Sequence, residues 1–130
     1  MTNNQTQPGN QKDMTSNVYL DQEGIIRVES IGLQTVEEMI KVKEKVLELG
    51  KKVPGKIKIL NDLTRMTRAT AGSRKETAKA IKLDEVDKVA IFGASIVNKV
   101  VASFIIKLSG MGHKVKYFNN KEEAIKWLKS

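Results

Sequence analysis

The chain has no cysteine. Disulfides, thiolate nucleophiles, iron–sulfur clusters and cysteine-based zinc sites are excluded together. It has one histidine, His113, so neither a His–His metal site nor a two-histidine catalytic site can form within one chain. Aromatic residues make up only 5%, and arginine occurs at only four positions, Arg27, Arg65, Arg68 and Arg74. Nucleic-acid modules usually combine stacking aromatics with clustered arginines, so a nucleic-acid role is disfavoured despite a net charge of +8. Neither G-x-x-x-x-G-K-S/T nor G-x-G-x-x-G is present, so no phosphate or dinucleotide loop is indicated. No cofactor motif and no metal-ligand spacing is found, and no catalytic constellation is visible.

Long apolar runs are also scarce. Val89 to Ile106 approaches the length of a membrane span, but Gly93-Ala94-Ser95 interrupts it and Asn98 and Lys99 sit at its middle. Two buried elements joined by a turn explain it better than a span. The chain starts without the basic residues and apolar core of a secretory signal, and residue 2 is not glycine, so myristoylation is not indicated. The expected location is the cytoplasm. The basic balance favours acidic partners, or else reflects a lysine-rich solvated surface.

What is there fits one domain: 130 residues, 40% hydrophobic and 29% charged, enough to bury a core. Residues 1–16 are polar and lack apolar periodicity, which predicts a disordered tail, with the folded domain at 17–130. Val18–Leu20 and Ile25–Glu29 flank Asp21-Gln22-Glu23-Gly24, a hairpin pattern. Thr35-Val36-Glu37-Glu38 is a capping box. It opens a helix whose apolar residues Val36, Met39, Ile40, Val46 and Leu47 form one stripe, ending at Gly50. Ile57–Leu63 reads as a short strand, followed by a polar segment, Thr64 to Ser73, and a helix over Arg74–Leu83. Lys88–Phe92 suits a central buried strand. Ser95 caps a third helix running to about Ser109. Lys114–Phe118 is the last strand, and Asn120 caps a final helix carrying Ala124, Ile125, Trp127 and Leu128. Strands alternating with helices after an initial hairpin predict an α/β fold. It has a mixed, mostly parallel sheet of about five strands covered by about four helices.

Three segments carry a family resemblance. Ile59-Leu60-Asn61-Asp62-Leu63-Thr64 resembles the "apolar, Asp, Leu, Ser/Thr" end of a third strand. Lys88-Val89-Ala90-Ile91-Phe92-Gly93 resembles a "K-V-A-V-x-G" strand. Tyr117 to Leu128 resembles the ending "v-F-x-x-x-E-E-A-x-x-W-L", the most specific of the three. From Val18 onward the chain resembles a STAS-type domain of the SpoIIAA-like group, whose relatives include the lipid-binding Sec14 fold. The resemblance implies a binding or regulatory domain without catalysis, and hence a protein partner. In anti-sigma-factor antagonists of this fold, a Ser or Thr after the third strand, in a D-S-S-G-like motif at a helix start, is phosphorylated. Aligning the motif's glycine on Gly72 puts Thr70 and Ala71 at the two serine positions, with Ala69 in place of the acid. Thr70 is then the implied phosphoacceptor, in a degraded motif.

The strongest candidate site is the segment from Thr64 to Arg74, with Asp62 just before it. It gathers Asp62, Thr64, Arg65, Thr67, Arg68, Thr70, Ser73 and Arg74 between a strand end and a helix start, where α/β sheets tend to hold ligands and anions find free N–H groups. Arginine adds a two-pronged grip on carboxylate or phosphate. The site holds an acidic or phosphorylated partner, or else it is a solvated loop whose Thr and Ser cap the helix. Gly93 and Ser95, in the neighbouring strand-to-helix turn, open on the same edge. Asp62 either acts chemically or accepts hydrogen bonds from its own loop. His113 is expected at the opposite edge, on the surface. The third helix has a wide apolar set: Ile96, Val97, Val100, Val101, Phe104, Ile105 and Leu108. It lines a pocket for a small apolar or lipid-like ligand, forms a homodimer face, or is buried on both sides.

Overall fold

A computed structural model describes residues 14–130. The elements run β1 (Asn17–Leu20), β2 (Ile26–Gln34), α1 (Val36–Gly50), β3 (Ile57–Ala69), α2 (Ala71–Ile81), β4 (Val86–Phe92), α3 (Ile96–Ser109), β5 (Val115–Phe118) and α4 (Lys121–Leu128). They form one five-stranded sheet in the order β1-β2-β3-β4-β5. β1 pairs antiparallel with β2, and the other three pairs are parallel. This is the mixed, mostly parallel sheet with an initial hairpin that the sequence predicts.

The hairpin turn is built around Asp21. Its Oδ1 accepts from Glu23 N at 2.8 Å and Ile25 N at 3.0 Å, and its Oδ2 accepts from Arg27 Nε at 2.9 Å. Burial pushes the Asp21 carboxyl up, but the donors from Ile25, Arg27 and Glu23 outweigh it and hold the group below the usual carboxylate range.

The faces of the sheet follow from side-chain alternation along each strand. On one face, Val42, Val46 and Leu49 of α1 pack on Ile26, Val28 and Ile57. On the same face, Ala78 and Ile81 of α2 and Ala102 and Ile105 of α3 pack on Leu63, Val89 and Ile91. On the other face α4 buries Ala124 and Leu128 against Ile25, Leu60 and Ala90. Burying a leucine such as Leu128 contributes about 1.5–3 kcal/mol. Because β2 to β5 follow in sequence order, the strand order never reverses among them. The crevice that such a reversal creates in other α/β sheets is therefore not available beside β3.

Three expectations need correction. The segment from Thr64 is not a loop: β3 runs on to Ala69. It is paired there with Ile31–Gln34 of β2, while β4 stops opposite Asp62. Register shifts fall between Glu29 and Ile31 and between Gly32 and Leu33. Gly32 takes φ 72, a conformation that glycine adopts at little cost. Second, α2 begins at Ala71, with Thr70 as N-cap, so Ser73 lies inside its first turn rather than before it, and Arg74, expected to open the helix, is its fourth residue. Third, β4 begins at Val86, two residues before the expected start at Lys88.

At the chain start, residues 1–13 of the expected tail lie outside the described residues. Thr15 and Ser16 are held by Glu38 of α1, whose Oε2 accepts from Ser16 N at 2.8 Å, Thr15 N at 3.1 Å and Thr15 Oγ1 at 3.1 Å. Only half of the expected capping box forms: Thr35 Oγ1 accepts from Glu38 N at 3.1 Å, while the Glu38 carboxylate is committed to the N-terminal segment.

Candidate functional site

The far end of β3 presents two exposed arginines. Arg65 and Arg68 stand opposite Ile31 and Leu33 of β2 in the register, and Leu33 is itself exposed. Among the described residues, no carboxylate pairs with either guanidinium. Thr64 and Thr67 are exposed on the same stretch. The third arginine differs: Arg74 is half-buried and donates from Nη1 to Ala69 O at 2.7 Å, which fastens the first turn of α2 to the end of β3.

Thr70 caps α2. Its Oγ1 accepts from Ser73 N at 3.2 Å, and its carbonyl accepts from Ser73 Oγ at 2.9 Å. Ser73 is 1% exposed, so the structure takes it away from the surface group. The first turn of α2 holds no acidic residue, which leaves the positive end of the helix uncompensated.

Asp62, Thr64 and Gly93 come together as expected. Asp62 Oδ1 accepts from Thr64 N at 2.8 Å and Thr64 Oγ1 at 2.5 Å. Gly93 takes φ 84, and a Cβ there would sit 2.5 Å from Thr64 Oγ1. The carboxylate thus organises its own strand end. Ser95 is exposed and caps α3, accepting from Asn98 N at 3.2 Å. His113 is exposed, in the segment leading into β5. Among the described residues no group of three His, Asp or Glu side chains could hold a metal ion. No helix among them is long and apolar enough to cross a membrane.

Sequence reasoning missed Asn98. This asparagine in the first turn of α3 is 3% exposed and donates from Nδ2 to Met66 O at 3.0 Å. Met66 lies beyond the reach of β4, so the Asn98 amide supplies the partner that a neighbouring strand would have given. Its polarity within an apolar stretch was the available signal. The outward side of α3 is exposed rather than buried: Ile96 is 86% and Phe104 54% exposed, with Val97, Val100 and Leu108 between those values or a little lower.

Between the sheet and α1–α3 lies a cavity of about 110 Å³. Its walls are mainly apolar, with Ile59, Leu63 and Val101 among them, and the polar side chains that also line it include Ser30, Gln34, Lys43, Asn61, Thr77 and Asn98.

A model of the SpoIIAA-like family matches residues 25–129. No curated protein matches the chain. Solved structures of the same fold include an uncharacterized Shewanella loihica protein with a SpoIIAA-like fold. It has a TM-score of 0.60 and 17% identity, over 88% of this chain and 92% of its own. The anti-sigma factor antagonist SpoIIAA, in its unphosphorylated form, gives a TM-score of 0.63 at 10% identity, over 89% of this chain and 99% of its own. The phosphorylated form of the Bacillus cell fate determinant SpoIIAA gives 0.60 at 14%, over 88% and 99%.

Proposed function

The chain belongs to the SpoIIAA-like family, and from that premise we propose that it is a non-enzymatic cytoplasmic binding module. It engages an acidic or phosphorylated protein partner through the far end of β3 and the start of α2. The observation that carries this is the pair of exposed arginines, Arg65 and Arg68, which no carboxylate among the described residues pairs with, beside the exposed Leu33. Protein interfaces favour arginine next to apolar surface, and a guanidinium with no internal acid is free to grip a carboxylate or phosphate. The first turn of α3 adds Ile96 and Val97 to the same region, since Asn98 ties that turn to Met66.

Thr70 is the proposed phosphoacceptor. A phosphate on its hydroxyl would meet the free N–H groups of α2 and lie near the arginines. A relative of this fold is known in a phosphorylated form, although Ala69 and Ala71 replace the polar neighbours of the family motif.

The test is affinity capture from the native host with the wild-type chain and with Arg65→Ala/Arg68→Ala, the retained proteins being identified by mass spectrometry. A specific partner held by the wild type and lost by the variant is expected. An identical set on both would overturn the reading. Intact-mass measurement of the native protein tests the phosphate.

A second reading is favoured by the cavity: the domain carries a small apolar ligand. At about 110 Å³ the space is well below the roughly 300–1,000 Å³ that holds drug-sized ligands. A whole lipid does not fit this conformation, and a small molecule does. Native mass spectrometry should find such a ligand co-purifying.

A further inference from the structure

The cavity is apolar but not uniformly so, and its polar groups are not all matched. Asn98 uses Nδ2 on Met66 O, which fixes the orientation of the amide and turns Oδ1 the other way. Among the described residues, nothing donates to that oxygen, although the residue is 3% exposed. Ser30, also buried, accepts from Asn61 Nδ2 at 3.1 Å. The Ser30 hydroxyl proton has no acceptor among the described residues. Both residues line the same cavity. Buried polar groups nearly always have partners, and an unmatched acceptor and an unmatched donor in one small apolar space define what would complete them.

We propose that the cavity is a binding site for a small hydroxyl-bearing apolar molecule, a phenol or a short-chain alcohol. The ring or alkyl part would lie against Ile59, Leu63 and Val101. The hydroxyl would donate to Asn98 Oδ1 or accept from Ser30 Oγ, since both residues line the cavity. The size agrees: a comparable engineered apolar cavity of about 150 Å³ takes benzene. This rests on the carrier reading and narrows it, because a purely apolar ligand would leave both polar groups unmatched, which is costly in a buried site.

The position of Asn98 gives the site a structural role as well. The same amide that bonds Met66 O also lines the cavity, so occupancy would order the end of β3 from within. Ligand binding and the Arg65–Arg68 surface would then be joined through one side chain.

The experiment titrates the chain with phenol and, separately, with benzene, following the methyl NMR signals of Ile59, Leu63 and Val101. Phenol is expected to bind saturably and about tenfold more tightly than benzene, in line with one or two hydrogen bonds in an apolar site. Ser30→Ala and Asn98→Ala should each shrink that preference by several fold, whatever either does to the absolute affinity for benzene. Because the readout is a ratio within one variant, a loss of stability does not mimic it, and Ser30→Ala serves if Asn98→Ala fails to fold. Equal binding of the two probes by the wild type overturns the hydroxyl assignment and leaves the carrier reading standing. Saturation by neither probe overturns both, and assigns the polar groups to buried water.

Discussion

Replacing Glu38 by alanine should destabilise the domain out of proportion to its place on a surface helix. The carboxylate is buried and accepts from Ser16 N at 2.8 Å, Thr15 N at 3.1 Å and Thr15 Oγ1 at 3.1 Å. A hydrogen bond to a charged group is worth roughly 1.5–3 kcal/mol. Thr15 is exposed, so water can replace the acceptor for its two donors. Ser16 is 3% exposed, and its N–H would be left without a partner. Glu38→Ala therefore costs about 2–4 kcal/mol, most of it at Ser16. With an unfolding entropy of roughly 2.1 cal/mol/K per residue over about 120 residues, the melting temperature should fall by about 8–16 °C. Circular dichroism melts at neutral pH measure this directly. Amide exchange at Ser16 should accelerate before the rest of the sheet opens. Glu38→Gln keeps one acceptor and should lose about half as much. A drop of less than about 3 °C for Glu38→Ala, with Ser16 still protected, would refute the reasoning.

Other expectations follow from single contacts. Asp21 has a lowered folded-state pKa, so its stabilisation is complete above its unfolded value of about 3.9 and is lost as pH falls through the lower folded value. The stability gap between wild type and Asp21→Asn, read by urea titration, should be full at pH 7 and shrink below about pH 4. A gap unchanged at pH 3 would count against it. Gly93→Ala forces a side chain into φ 84 against Thr64 Oγ1 and should cost about 2–3 kcal/mol in the same titration. Leu128→Ala empties a fully buried position and should cost about 2–5 kcal/mol. Phe104→Ser, on the exposed side of α3, should change stability by less than about 0.5 kcal/mol. A core-sized loss there would show that the side chain is covered.

Much of this architecture was legible because local signals and burial agree. Val89-Ala90-Ile91 reads as a buried strand and is one, since both of its faces are covered. Thr35, Ser95 and Asn120 each read as a cap and each accepts from the N–H three residues on. The end of β3 was misread because it is paired on one side only and its side chains are largely exposed, so no apolar alternation marks it. The β-branched Thr64 and Thr67 were the surviving signal. The apolar set of α3 was legible as too wide for one buried face, but whether its outer half was covered depended on neighbours that only the tertiary structure supplies. The proposed surface was found by composition, with three arginines close together, yet the tether of Arg74 to Ala69 and the burial of Ser73 are geometric facts with no sequence signature.

The chain's single tryptophan sits on α4, 5.5 Å from the Phe118 ring, with Lys88 and Lys116 over its own ring at 5.1 and 5.4 Å. Lys88 Nζ also donates to Trp127 O at 3.1 Å. Selective excitation of this residue therefore gives an optical signal that belongs to one face of the sheet, the face opposite α1, α2 and α3. Its emission reports the seating of the last helix and is insensitive, to first order, to events in the cavity or at the end of β3. Unfolding curves taken by fluorescence and by backbone ellipticity should superimpose if the two faces melt together. If they separate, α4 detaches as a unit of its own, and the interval between the curves measures how strongly the two sides of the sheet depend on each other.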